Sequence, residues 1–204
     1  MSNALTQLEY PVGALDHFFL NDDTDEFPAH FFVRVKFDGL FNHALFEQAV
    51  EPTLERHPLM RATLKGRPTQ SRSTLAFATT TAKPFIRWAR AGDPYVHPEG
   101  RVRIDIAREY GFRIFVHEGD GQSVLVLQLH HAVVDGTGAL MFMEDILGFY
   151  EHLESPGPGT PRLRSLNPDK LHGRDAFHQT PESLRARRSL DLSEGLRLAT
   201  GLPH

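Results

Sequence analysis

Residues 124–137 read Val-Leu-Val-Leu-Gln-Leu-His-His-Ala-Val-Val-Asp-Gly-Thr, and the fold turns on this stretch. Val124 to His130 is a short apolar run rich in branched side chains, the pattern of a strand buried on both faces. Ahead of it, Phe112 to His117 is a second strand-like run, and the join Glu118-Gly-Asp-Gly-Gln122 carries turn chemistry. The pair predicts a β-hairpin. Behind it, residues 137–153 predict the chain's best helix, with Leu140, Met143, Leu147 and Tyr150 at three- and four-residue spacing and Ile146 beside them. Glu144, Asp145 and Glu151 fall off that stripe, while Met141, Phe142 and Phe149 widen the apolar surface.

Further out, His30 to Phe37 predicts a strand with Arg34 and Lys36 facing outward. Asn42 is placed to cap a helix running to about His57. Pro52 lies inside that helix, where its missing N–H predicts a kink or a division. Leu59–Leu64 and Thr74–Thr80 are short strand candidates. Residues 155–161, Ser-Pro-Gly-Pro-Gly-Thr-Pro, read as a linker, because Gly and Pro break both regular structures. The expected division is therefore a mixed α/β body over 1–154 and a linker with a basic, partly helical tail over 155–204. From Pro161 onward there are 8 Lys/Arg against 5 Asp/Glu. Arg185, Arg187 and Arg188 are placed on a helix begun by Thr180-Pro181-Glu182.

The chain has 204 residues, 40% hydrophobic and 24% charged, enough to bury a core without a disulfide or metal staple. It has no cysteine, which excludes disulfides, thiolate metal sites and a cysteine nucleophile. A formal charge of -4 argues against a nucleic-acid partner or a polybasic membrane anchor. No apolar run approaches the ~20 residues of a membrane-spanning helix. Residues 1–10 lack the basic-then-apolar pattern of a secretory signal. The expectation is a soluble cytoplasmic protein.

Neighbouring side chains on a strand point to opposite faces, so His130 and His131 are expected to diverge. One is expected in the core and the other at an open edge or cleft. Asp135, across a turn, can fold back to hold an imidazole or the loop. Gly136 permits a backbone shape that other residues resist. A single strand-end histidine, or a single Asp-Gly, reads as ordinary core and turn. The combination of strand, His-His, three spacers, Asp-Gly and helix is far more specific.

His130 to Gly136, HHAVVDG, resembles the His-His-x-x-x-Asp-Gly motif of the condensation domains of nonribosomal peptide synthetases. Their acyltransferase relatives in the chloramphenicol acetyltransferase-like, CoA-dependent superfamily share it. Glu55 to Leu64, ERHPLMRATL, resembles the Arg-His-x-x-Leu-Arg element that follows their first long helix. The resemblance covers roughly residues 10–153. It implies an α/β fold, an α+β sandwich in which helices cover a mixed, largely antiparallel sheet. It also implies acyl transfer from a CoA or carrier-protein thioester to a hydroxyl or amine, with no tightly bound cofactor. His131 would be the general base, a task suited to a group whose ordinary pKa lies near neutrality. His130 would be structural. Asp135 would point away from substrate and brace the loop through an arginine, for which Arg61 is the candidate. Gly136 would let backbone approach the reacting carbonyl. In the family the motif sits in the first of two lobes, and only 68 residues follow Gly136 here (204 minus 136). The chain therefore reads as a first lobe, with a second lobe, a carrier protein or another copy of itself as partner. The competing expectation is a non-catalytic half-domain that binds a partner, or a truncated product.

Two other readings of the same residues are weaker. His130 and Asp135 also fit the His-x4-Asp spacing of glycerolipid acyltransferases, but the second histidine and the glycine favour the first family. A metal site on His131 and Asp135 lacks a third ligand. Phe18, Phe19, Phe31 and Phe32 are candidates for lining an acyl tunnel, with core packing the simpler reading. Asn21 to Glu26, NDDTDE, reads as a solvated acidic loop rather than a calcium loop.

Overall fold

The computed structural model describes residues 8–67, 71, 74–157, 159–161 and 163–178, with side chains described up to Gly173. The elements in chain order are β1 (Glu9–Pro11), α1 (Ala14–Asp22), β2 (His30–Asp38), α2 (His43–Arg56), β3 (Ala62–Lys65), β4 (Ala76–Thr79), β5 (Phe85–Arg90), β6 (Phe112–Gly119), β7 (Gln122–His130) and α3 (Gly136–Glu154). They build two sheets. A small antiparallel one has the order β1-β4-β3, and the larger one has the order β2-β7-β6-β5. In the larger sheet β2, β7 and β6 are antiparallel neighbours, and only β5 runs parallel to β6. The expected mixed, largely antiparallel α/β architecture is what the chain forms.

The hairpin between β6 and β7 turns on Asp120 and Gly121, both with positive φ (52° and 71°), as a tight two-residue turn requires. Register then divides the large sheet into two faces. One carries Phe31, Val33, Val35 and Phe37 of β2, Leu125, Leu127 and Leu129 of β7, and Phe112, Ile114 and Val116 of β6. Helices α2 and α3 cover it: Phe142 of α3 meets Phe112, and Phe46 of α2 meets Trp88 of β5. Leu125, Leu127 and Leu129 are fully buried, each contributing about 1.5–3 kcal/mol by leaving water. The other face carries His30, Gln128, His130, Arg113, Phe115 and His117. The segment after β5 crosses this second face, laying Tyr95 at a tilt against His117 and setting Tyr95 and His97 edge-on to Phe115.

Several local expectations change. Helix α2 is one undivided run through Pro52, with Asn42 Oδ1 accepting from the Leu45 N–H. Beside the proline, the Thr53 hydroxyl donates to the Ala49 carbonyl at 2.8 Å. On α3 the buried stripe is Ala139, Phe142, Met143, Ile146 and Tyr150, and Leu140 is 49% exposed. Asp145, expected on the polar side, is buried. Its Oδ2 accepts from Arg56 Nε and pairs with His57 Nε2, each at 2.8 Å. The Arg-His pair after α2 thus ties α2 to α3.

The first compact unit ends at Pro168. After the Gly/Pro segment its chain returns along the helices: Arg56 Nη2 donates to the Arg164 carbonyl at 2.6 Å, and Arg164 pairs with Glu144 at 3.0 Å. The second unit begins at Asp169, and its described part continues the 3-10 turns of Pro168–His178. Arg185, Arg187 and Arg188, with the helix expected for them, lie outside the described residues.

Candidate functional site

Strand β7 ends at His130, and the next residues turn sharply into α3. The two adjacent imidazoles diverge. His130 falls on the strapped face, where it is 1% exposed. Its Nδ1 accepts from the Ala132 N–H at 3.1 Å. Its Nε2 lies 3.4 Å from Asp23 Oδ2, within ion-pair reach, but has no hydrogen-bond partner.

His131 falls on the other side, half-buried between two phenylalanines. Its ring stacks on Phe31 at 4.4 Å between centroids and on Phe19 at 4.8 Å. Aromatic faces on both sides hold the imidazole plane without consuming its ring nitrogens. The backbone is pinned too, since the His131 N–H donates to the Ala29 carbonyl at 2.9 Å. Burial pushes the His131 pKa below its ordinary value, and His130 acts in the same direction against a smaller opposing pull from Asp135. The ring is therefore neutral near pH 7, the form in which it accepts a proton.

Of the four phenylalanines considered for an apolar lining, Phe19 and Phe31 touch His131. Phe18 and Phe32 point outward, 57% and 51% exposed.

Asp135 does not meet Arg61. Its Oδ1 accepts from the Gly138 N–H at 2.7 Å, making Asp135 the N-cap of α3. The helix opening leaves backbone N–H groups without partners, and a carboxylate one residue ahead satisfies one locally. Arg61 instead pairs with Glu51 at 3.3 Å and donates to the Thr80 carbonyl. A backbone shape reserved for glycine is likewise not found at Gly136, which is absent from the positive-φ glycines. A Cβ built there meets open space, so this side of the turn is unfilled. The glycine under steric constraint is Gly138, where a Cβ would lie 2.8 Å from Val134 Cγ2 and 3.2 Å from Asp135 Oδ1.

A buried polar network behind the site is not apparent in the sequence pattern. Asp23, read as part of a solvated acidic loop, has a side chain only 5% exposed. It accepts from the Ala29 N–H at 2.9 Å and from Arg103 Nε at 2.6 Å. Burial works to raise its pKa, but the His130 ring nearby and the donors Ala29 N–H and Arg103 Nε outweigh that and lower it. Arg113, on β6, is 1% exposed. It forks onto Glu109 through Nε and Nη2 at 2.9 and 2.7 Å. It also donates to the carbonyls of Arg101, Val102 and Arg103, pinning the crossing segment to the sheet. Gln128 adds a 2.6 Å bond to the Val102 carbonyl. Among the described residues, no group of three or more His, Asp and Glu is placed to hold a metal.

A family model described as Condensation domain matches residues 22–163. A search of curated proteins by sequence finds no match. Among solved structures, the first condensation domain of the calcium-dependent antibiotic synthetase, in complex with a substrate analogue, is similar at TM-score 0.70 and 16% identity. That match covers 96% of this chain and 49% of that one. The starter condensation domain of rhizomide synthetase is similar at TM-score 0.66 and 16% identity, covering 97% and 49%. A complex of the X-domain and OxyB from teicoplanin biosynthesis matches at TM-score 0.59 and 19% identity, covering 77% and 35%. The chain thus spans half or less of the length of these solved chains.

Proposed function

The chain belongs to the condensation-domain family, and on that footing we propose that it supplies the histidine-bearing half of an acyltransferase site. The reaction is transfer of an acyl group from a CoA or carrier-protein thioester to an amine or hydroxyl. His131 takes the acceptor's proton as the acceptor atom attacks the thioester carbonyl. The C–S bond then breaks, and the imidazolium returns the proton to the departing thiolate, leaving an amide or ester and a free thiol.

One observation carries this reading. His131, its pKa pushed down by burial, is clamped between Phe19 and Phe31 beside a turn whose Gly136 side is unfilled. A base that is neutral at working pH and held in one orientation meets the demand of general-base catalysis. Gly136 would let the acyl carbonyl come close to backbone. His130 and Asp135 serve the seat rather than the reaction.

The test gives the full chain, alone and together with the second lobe that completes its site, an acyl-N-acetylcysteamine thioester and a primary amine, and follows amide formation. His131→Ala is expected to lower the rate by about 10²–10⁴-fold, the usual span for removing a general base. Transfer at the parent rate in that variant defeats the assignment.

A second reading rests on length, since the solved relatives are twice as long or more. In it the chain is a binding half-domain whose partner is a second lobe, a carrier protein or another copy. Light scattering finds the assembled species and the transfer assay on it separates the two readings: a stable complex or dimer without transfer supports the second.

A further inference from the structure

We propose that Asp23 is a positioning residue for His131, acting on its seat by two converging routes. The inference rests on the reading of His131 as the base, and names what holds it. The first route passes through a ring. The only ring atom of His130 that receives a hydrogen bond is Nδ1, from the Ala132 N–H at 3.1 Å. In the neutral imidazole this places the proton on Nε2. That N–H is sealed, 1% exposed as a side chain, without a hydrogen bond, and 3.4 Å from Asp23 Oδ2. The second route passes through the backbone. Asp23 Oδ1 holds the Ala29 N–H at 2.9 Å, and the carbonyl of the same Ala29 holds the His131 N–H at 2.9 Å. One carboxylate thus stands behind the backbone of both His131 and Ala132.

A carboxylate suits this place because it only accepts. It accepts from Ala29 N–H and Arg103 Nε, and it leaves an acceptor oxygen facing the His130 Nε2–H at 3.4 Å. An amide of the same shape would turn an NH2 toward one of those donors. The titratable groups that face His130 are Asp23 beyond α1, His30 opposite it on β2 and the adjacent His131, with Arg103 on the far side of Asp23. Asp23 is the one acid among them. Without it, His130 has reason to move its proton to Nδ1 and release Ala132, which unseats His131.

The experiment is ring and amide NMR on the uniformly ¹⁵N-labelled full chain, with no substrate. Two-bond ¹H–¹⁵N correlations show which ring nitrogen carries the proton. In the parent, His130 is expected as the Nε2–H form with a protected Ala132 amide. An Nδ1–H form there overturns the proposal before any variant is made. In Asp23→Asn, His130 is expected to shift to the Nδ1–H form. Ala132 is then expected to exchange about tenfold or more faster. As its seat loosens and burial lessens, the titration midpoint of His131 is expected to rise toward the ordinary histidine value. If His130, Ala132 and His131 all keep their parent behaviour in a folded Asp23→Asn chain, the proposal is wrong. If that variant does not fold, the parent tautomer decides. None of these readouts uses acyl transfer. Transfer that survives His131→Ala therefore defeats the catalytic reading alone, and a folded Asp23→Asn chain in which His130, Ala132 and His131 are all unmoved defeats this one alone.

Discussion

At the residue scale, the molecule separates chemistry that is written locally from chemistry that is assembled at long range. Arg113 is the clearest case of the second kind. It is a fully buried cation with its donors spent on Glu109 and three consecutive carbonyls. Arg113→Met is expected to destabilise the fold by about 3–5 kcal/mol, because Glu109 and the carbonyls lose their partner without regaining water. Urea denaturation measures it. The His-His-x-x-x-Asp-Gly string was legible because its parts are neighbours: a strand end, a turn and a helix cap. Asp23 and Asp145 were not. Asp23 finds Arg103 80 positions later, and Asp145 finds Arg56 89 positions earlier. Composition around Asp23 signals a solvated loop, and periodicity around Asp145 signals a polar helix face. Only packing shows that each faces inward. The bond from Asp135 to an arginine, implied by resemblance, gives way here to a cap that needs only a nearby N–H.

At the element scale, the start of α3 offers a paired comparison. Gly138→Ala pushes a methyl group against Val134 Cγ2 and the capping oxygen, and is expected to cost about 1–3 kcal/mol. Gly136→Ala meets nothing, and is expected to gain about 0.4–1 kcal/mol by restricting the unfolded chain. Urea midpoints that move in opposite directions bear this out; equal shifts contradict it. Elements with a strong period or a tight turn, β6, β7 and α3, could be drawn from the sequence nearly to their ends. Helix α1 and strand β5 could not. Nine residues hold too few turns for a helical period to stand out in α1, and Phe-Ile-Arg-Trp-Ala-Arg lacks a clean alternation in β5. The buried stripe of α3 is rotated from the one drawn because Leu140 was counted and Ala139 was not.

At the scale of the whole molecule, pH acts through a set of partly buried imidazoles. His30, His57, His97 and His131 all have pKa values lowered from the ordinary 6.5, with burial the largest cause in each. The unfolded chain therefore binds more protons than the folded one just below that value, and stability rises with pH there. Their contribution is complete above about pH 7 and is lost as pH falls through 6.5 toward the folded values. Asp23 and Glu118, also lowered, add a second decline below about pH 4, where unfolded carboxylates take up protons. Thermal melts from pH 8 to 3 are expected to show a plateau followed by a two-stage fall. A melting temperature that increases between pH 7 and 5 contradicts this account.

The pairing of β2 with β7 matches His30 with His130 and Asp38 with Gln122. A ribosome delivering this chain must hold β2 in waiting until about a hundred further residues have emerged, since its only sheet neighbour among the described residues is the last strand made. Loop closure over that separation is slow and precedes any gain from the contact. Folding of this chain is therefore expected to wait on the closure of β2 onto β7, whatever the final stability of the pair.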